Sequence, residues 1–147
     1  KCKKGAHRGI AKQITINKNG LQHPIYRDKN PIFNSPAFNF DEVTILPNNA
    51  KLLSSNQMNK VMAIHFKNEI SEIWGIQYHP EITYDKMISL IHFRKDRLIE
   101  KKAFANQMEI DNHVEMIENE KKLLKIDARM KELKNWLNYV TENKNYA

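Results

Sequence analysis

The 147-residue chain has one cysteine, four glycines and no run of apolar residues near the ~20 that a membrane-spanning helix needs. Each shortage excludes something. A lone thiol, Cys2, leaves no internal disulfide framework and fits a reducing compartment, so the cytoplasm is the expected location. The lysine-rich start is not followed by an apolar segment, so neither a signal peptide nor a membrane partner is expected. There is no P-loop or glycine-rich phosphate turn, hence no nucleotide-binding or synthetase motif, and no cofactor is expected. His-x-x-x-His and cysteine-rich spacings are missing too, which argues against a metal site. Basic residues outnumber acidic ones by seven, yet they are mostly lysines scattered among Asn, Ile and Glu. Nucleic-acid binders instead cluster arginine with aromatic residues, so the charge reads as a solvated, lysine-biased surface without a nucleic-acid partner.

What is present divides the chain into two parts within one modest domain, residues 1–84 and a helical extension, 85–147. In "GIAKQITIN", Ile10, Ile14 and Ile16 fall on a strand-like pattern that "NKNG" closes. "LQHPIYRDKNPIFNSP" carries three prolines and several turn formers, which predict a loop with short helical pieces at most. "AFNFDEVTILP" predicts a bent segment or a short strand before Pro47, and "AKLLSSN" a short apolar run. "KVMAIHF" and "EIWGIQY" predict a hairpin turning at Lys67, Asn68 and Glu69. Both runs are apolar almost throughout, as in strands covered on both faces. Gly75 inside the second predicts a close approach of a neighbour.

From Asp85 to Asn143 there is neither Pro nor Gly, and helix formers dominate. One helix is predicted around Met87 to Leu98 and a second from about Asp111. Ile126, Met130, Leu133, Leu137 and Val140 repeat at four-three-four-three spacing, a seam expected to pack on the protein's own core. The alternative use of that tail, or of an exposed sheet edge, is a homo-oligomer.

The run "EIWGIQYHPEI" ends a strand in His-Pro-Glu. In extended backbone, residues two apart share a face, so His79 and Glu81 are predicted to meet at the carboxyl end of a buried strand, a usual place for ligands in α/β sheets. A carboxylate on one ring nitrogen fixes the tautomer and raises the basicity of the other, which is the orienter-and-base half of a catalytic triad. A zinc site from His79, Glu81 and His65 uses the same residue types, but Pro80 between two ligands argues against it. His23, His65, His92 and His113 are read as ordinary core or surface residues.

"WGIQYHPEI" resembles the C-terminal signature of the class I, triad-type glutamine amidotransferases. Upstream, "GAHRGIAKQITI", "HPIY", "FNFDEVTILP", "LLSSN" and "KVMAI" resemble that family's segments in the same order. The tail "ARMKELKNWL" is similar to the end of stand-alone, GMP-synthase-like members. The resemblance implies an α/β fold with a flavodoxin-like mixed sheet, present as the C-terminal half of an amidotransferase domain with a helical extension. It implies a glutaminase half-reaction in which a thiolate attacks glutamine, ammonia leaves for an acceptor, and water releases glutamate. His79 would be the general base and acid, and Glu81 its orienter. Asn39 and Phe40 would lie near the bound glutamine.

The resemblance also implies a nucleophile that this chain does not offer. "KCKKG" lacks the strand and first glycine of the family's Gly-x-Cys-x-Gly elbow, so Cys2 is not favoured as the nucleophile. The elbow is expected upstream, in a longer protein, and the chain alone is expected to be inactive. His7, Asn39 and Met62 depart from the family's usual residues, which bears on the pocket rather than on His79 and Glu81. Two alternatives accompany this reading: a γ-glutamyl hydrolase acting on a γ-glutamyl amine, and a non-catalytic amidotransferase-like subunit. The ammonia acceptor is not legible.

Overall fold

The computed structural model describes residues 6–143. Its architecture is α/β: a five-stranded sheet followed by helices. The strands are β1 (His7–Ile16), β2 (Ile32–Asn39), β3 (Lys51–Ser55), β4 (Ala63–Lys67) and β5 (Glu72–Ile76). They lie in the order β2-β1-β3-β4-β5, and every described pair is antiparallel. A short helix α1 (Lys18–Leu21), capped by the Asn17 side chain, and a 3-10 turn at Pro24–Tyr26 connect β1 to β2. Helices α2 (Tyr84–Phe93), α3 (Lys95–Glu100), α4 (Gln107–Leu123), α5 (Ile126–Arg129) and α6 (Lys131–Glu142) follow β5. Among the described residues no helix is long and apolar enough to cross a membrane.

Strand β1 organises the sheet. Its first half pairs with β2, and its last residues, Thr15 and Ile16, pair with β3. The register shifts between Ala11 and Ile14, where Gln13 takes a φ of 52° and donates its N–H to Asn34 Oδ1 at 2.8 Å. Such a bulge bends a strand and strengthens its twist. The sheet curls accordingly, until the chain beyond β5 reaches β2 and His79 donates its N–H to the Pro36 carbonyl at 2.7 Å. Alternate residues of β1 feed two cores. Ala11, Ile14 and Ile16 join Ile25, Leu53, Met62 and Tyr78 inside the curl, while Ile10 joins Ile88, Ile91, Ile110 and Ile117 under α2 and α4.

Three expectations need correction. Residues 32–36, predicted as loop, are strand. Pro36 is tolerated because β2 is last in the sheet order, and its carbonyl, hence its missing N–H, faces away from β1. The β4–β5 hairpin forms as predicted, with Lys67 opposite Glu72, but it is not covered on both faces: Ile73 is 46% exposed and Ile64, Phe66, Trp74 and Ile76 are half-buried. The tail seam packs only in part, with Met130 and Leu133 half-buried. The chain is extended at Leu124 before α5, and Ile126, Leu137 and Val140 are exposed, while Glu132, Asn135 and Tyr139 make the contacts. Periodicity marked the amphipathic face but not which side docks.

Glycine admits close approaches at Gly75 and Gly9. Gly75 lies opposite Ile64, whose side chain would be 3.2 Å from an added Cβ, in line with the close approach predicted there. Gly9 has a φ of +105°, and an added Cβ would stand 2.8 Å from Ile117 and 2.9 Å from Ile91. Gly9→Ala therefore combines backbone strain with overpacking, and urea unfolding should show a loss of about 2–4 kcal/mol. A loss below about 0.5 kcal/mol would mean that the helices are not held this close to β1.

Candidate active site

Beyond Ile76 the chain leaves β5, and each of the next residues has a separate anchor. Gln77 donates its N–H to the Met62 carbonyl at 2.8 Å, continuing along β4. Tyr78 turns inward, 2% exposed, because its ring fills the inner core. His79 bonds to Pro36 as described, and Ile82 donates its N–H back to the His79 carbonyl at 3.1 Å. Residues 79–82 thus form a β-turn with Pro80 in second place, where its fixed φ is favoured. Thr83 then caps α2, accepting from the Lys86 N–H at 3.2 Å.

The turn brings the predicted pair together. His79 Nδ1 lies 2.8 Å from Glu81 Oε1. They meet through the turn, not through the extended backbone that the two-residue spacing suggested. A carboxylate oxygen accepts, so Nδ1 carries the proton and the Nε2 lone pair is left unoccupied by that bond. The pair is open to solvent, with side chains 39% and 51% exposed. An imidazole so placed can take a proton at Nε2 and return it, provided that a nucleophile and a substrate are brought to it.

Asn39, the last residue of β2, reaches this segment, and Phe40 follows it. The Asn39 side chain bridges inward: its Nδ2 donates to the Gln77 backbone carbonyl at 3.1 Å and to Gln77 Oε1 at 3.0 Å, and its Oδ1 lies 2.7 Å from His7 Nδ1. The other ring nitrogen of His7 accepts from Asn56 Nδ2 at 3.0 Å, so His7 is also an Nδ1–H tautomer. Burial holds its pKa below the ordinary histidine value, with the Asn39 bond opposing. Phe40 is 45% exposed, with its ring edge-to-face with Phe38. A cleft of about 880 Å³ is lined by His7, Arg8, Lys12, Asn56 and His113 among others, but not by His79 or Glu81. Cys2 lies outside the described residues.

Several residues around the turn were not singled out from the sequence. Arg129 on α5 donates to the carbonyls of both Pro80 and Ile82, the second at 3.1 Å. Glu132 on α6 accepts from the Tyr78 hydroxyl at 2.9 Å and pairs with Lys29 Nζ at 2.8 Å, with the two charged side chains only 1% and 5% exposed. A charged residue amid the apolar seam was the one available signal for Glu132. No local pattern marks Arg129 or Lys29.

His65 does not approach the pair. Its Nε2 lies 3.2 Å from Glu72 Oε1, and its ring packs on His23, which also meets Trp74. Among the described residues no group of three or more His, Cys, Asp or Glu side chains is placed to hold a metal ion.

Comparison with known proteins bears on the fold. No protein-family model matches the chain. A curated relative, the γ-glutamyl-L-1-hydroxyisopropylamide hydrolase of a Pseudomonas species, is 29% identical over 123 residues, which are 84% of this chain and 40% of that protein. Among solved structures, a glutamine amidotransferase from Thermotoga maritima superposes with a TM-score of 0.64 at 17% identity, over 92% of this chain and 52% of that one. The fold is of the glutamine amidotransferase type. The chain spans two-fifths of the curated relative and about half of the structural neighbour. The fold expected from the motifs is therefore present, and the GMP-synthase-like assignment stays an expectation.

The His23 cluster generates a pH prediction. Burial first, then His65, hold the His23 pKa down to about 4, with Glu72 opposing and Lys51 adding to the lowering. As pH falls the unfolded chain takes up this proton first, so stability is full above the ordinary value of 6.5 and is lost between there and about 4. Discounted for partial exposure, the loss is on the order of 1–2 kcal/mol. In His23→Asn, which keeps a side-chain acceptor for the Ile25 N–H, urea unfolding at about pH 7 and pH 4 should show a correspondingly shallower decline. An unchanged decline would remove His23 from the account.

Proposed function

We propose that this chain supplies the base and its orienter to an enzyme that cleaves γ-glutamyl amides, as a glutaminase feeding ammonia to an acceptor or as a hydrolase of a γ-glutamyl amine. The observation that carries the proposal is the 2.8 Å bond between His79 Nδ1 and Glu81 Oε1 at the end of β5, which leaves Nε2 as the proton-accepting nitrogen. The amidotransferase-type fold and the γ-glutamyl amide hydrolase among the relatives support the same chemistry.

In the proposed mechanism a thiol from another part of the whole protein loses its proton to His79 Nε2 and attacks the γ-carbonyl carbon. The C–N bond breaks, and the departing nitrogen takes the proton from the imidazolium, leaving as ammonia or as an amine. Water, deprotonated by the same nitrogen, attacks the thioester, and glutamate leaves as the thiol regains its proton. Glu81 stays ionised and holds the imidazole in its tautomer and orientation. Asn39 acts through Gln77, and the exposed Phe40 ring is the substrate contact on this side.

Both substrate classes yield glutamate, so one assay serves both. In the full-length product of this reading frame, His79→Ala should reduce glutamate release by roughly a thousandfold or more. Glutamine and a γ-glutamyl alkylamide, offered in parallel, distinguish the glutaminase from the hydrolase by their relative kcat/KM. Equal rates in wild type and His79→Ala would refute the role given to His79. Absence of turnover of either substrate by the full-length wild type would favour the non-catalytic reading.

A further inference from the structure

The geometry points to a second role for the C-terminal helices: α5 and α6 clamp the turn that carries His79 and Glu81, with Arg129 and Glu132 as its positioning residues. The inference rests on the reading of His79 and Glu81 as a base and its orienter. An exposed hydrogen-bonded pair of this kind contributes at most about 1 kcal/mol, which is too little to order two side chains and a surface turn by itself. Within the turn, the Ile82 N–H donates to the His79 carbonyl. The reactive geometry must then be inherited from whatever fixes the backbone around it.

The tail provides that constraint on both sides. Upstream of the pair, the Tyr78 hydroxyl donates to Glu132 Oε1 at 2.9 Å, in a site where the carboxylate is 1% exposed. Downstream, Arg129 reaches the carbonyls of Pro80 and Ile82 with a single guanidinium nitrogen. The Pro80 carbonyl belongs to the peptide unit before Glu81 and the Ile82 carbonyl to the unit after Ile82, so holding both restrains the two-residue stretch that carries the Glu81 side chain. Glu132 and Arg129 are tied together in turn, because Lys29 Nζ donates to Glu132 Oε2 at 2.8 Å and to the Ala128 carbonyl at 2.9 Å. Asn135 adds bonds of 3.0 Å to the Ile25 and Arg27 carbonyls. Lys29 lies three residues before β2, the strand that accepts the His79 N–H, which closes the circuit.

Stability alone does not explain this mode of docking. A helix recruited to bury area would turn its whole apolar stripe inward, yet only Met130 and Leu133 are half-buried, while Ile126, Leu137 and Val140 remain 72%, 53% and 38% exposed. Beside the two half-buried residues and the Tyr139 ring on Trp74, what docks is a set of directional bonds, which specify geometry at the expense of buried area.

The test uses the full-length product labelled with ¹⁵N-histidine, observed at about pH 8.5, above the ordinary histidine range. The bonds of His79 and His7 make them Nδ1–H tautomers. His23, whose Nδ1 accepts from Ile25, and His113, whose Nε2 donates to the Arg8 carbonyl, are Nε2–H tautomers and act with His7 as internal references. In Arg129→Ala the His79 signals should move toward the Nε2–H pattern while the three references stay in place. With the γ-glutamyl substrate that the wild type turns over, kcat should fall about tenfold or more and KM change less than about twofold, with Arg129→Lys in between.

A folded Arg129→Ala protein whose His79 nitrogens match the wild type would overturn the proposal. So would reference signals that move together with those of His79, which would mark a structural role only. Should Arg129→Ala not fold, Tyr78→Phe, which removes only the hydroxyl that meets Glu132, and Arg129→Lys are read against the same two outcomes. A tautomer change in a protein whose wild type hydrolyses no γ-glutamyl amide would uphold the clamp and remove the catalytic reading.

Discussion

The hydrogen bond from the His79 N–H to the Pro36 carbonyl, 2.7 Å long, is the contact on which the arrangement depends. It joins the chain leaving β5 at one side of the sheet to β2 at the other, and it can form only because the sheet has curled. The bulge in β1, where Gln13 adopts a positive φ, and a second register shift in β3 between Leu52 and Ser54 both bend the sheet toward that curl. Pro36 suits the position because a strand residue's nitrogen and carbonyl face the same way. Here that side has no N–H to offer, and the carbonyl alone is used. The constraint therefore runs from a kink in β1, through the shape of the sheet, to the backbone position of a histidine more than sixty residues later.

The buried polar chain beneath this segment has one consistent direction. Tyr78 donates to the Glu132 carboxylate, so Tyr26, 2.9 Å away, donates to Tyr78, and Ser54, 2.8 Å away, donates to Tyr26. Burial first, then Tyr26 and the Glu132 carboxylate, raise the Tyr78 pKa well above the ordinary phenol value, which keeps it a donor. Burial also lowers the Lys29 pKa, and Glu132 opposes that effect. The Lys29 ammonium further lies 4.3 Å from the centre of the Phe33 ring. A buried pair of this kind is weak evidence for net stability, since desolvating both charges offsets much of their attraction. Its clearer consequence is specificity, because removing one partner leaves the other charge buried and unpaired.

What could be read from the sequence was what is written in adjacent residues. The hairpin of β4 and β5 showed in two apolar runs with a polar turn between them, and His79 and Glu81 are separated by a single residue. Strand β2 was obscured because its Asn and Pro are usually turn formers, and only its place at the end of the sheet order makes them acceptable. The orientation of the tail was hidden for a different reason. Helical periodicity shows which residues share a face, but α6 docks by Glu132, Asn135 and Tyr139, whose partners at Lys29, Ile25 and Glu72 are between 67 and 110 residues away. Bonds between isolated polar residues at that separation leave no local pattern.

On the proposed reading, glutamine and a γ-glutamyl amine present the same half of the molecule to His79. Proton transfer at Nε2, attack on the γ-carbonyl and loss of nitrogen are common to both, and they differ only in what the nitrogen carries. The base and its orienter therefore serve either substrate without change, and discrimination must come from side chains that surround the departing nitrogen. A free ammonia must be retained for an acceptor, which calls for an enclosed site, whereas an amine released by a hydrolase may leave directly into solvent. In this chain the His79–Glu81 pair is open, with side chains 39% and 51% exposed, and the enclosure that a glutaminase needs must be built by residues elsewhere in the whole protein. On this reading the geometry common to both reactions and the specificity between them are carried by different parts of the molecule, the first by the turn and its anchors, the second by the walls that meet it.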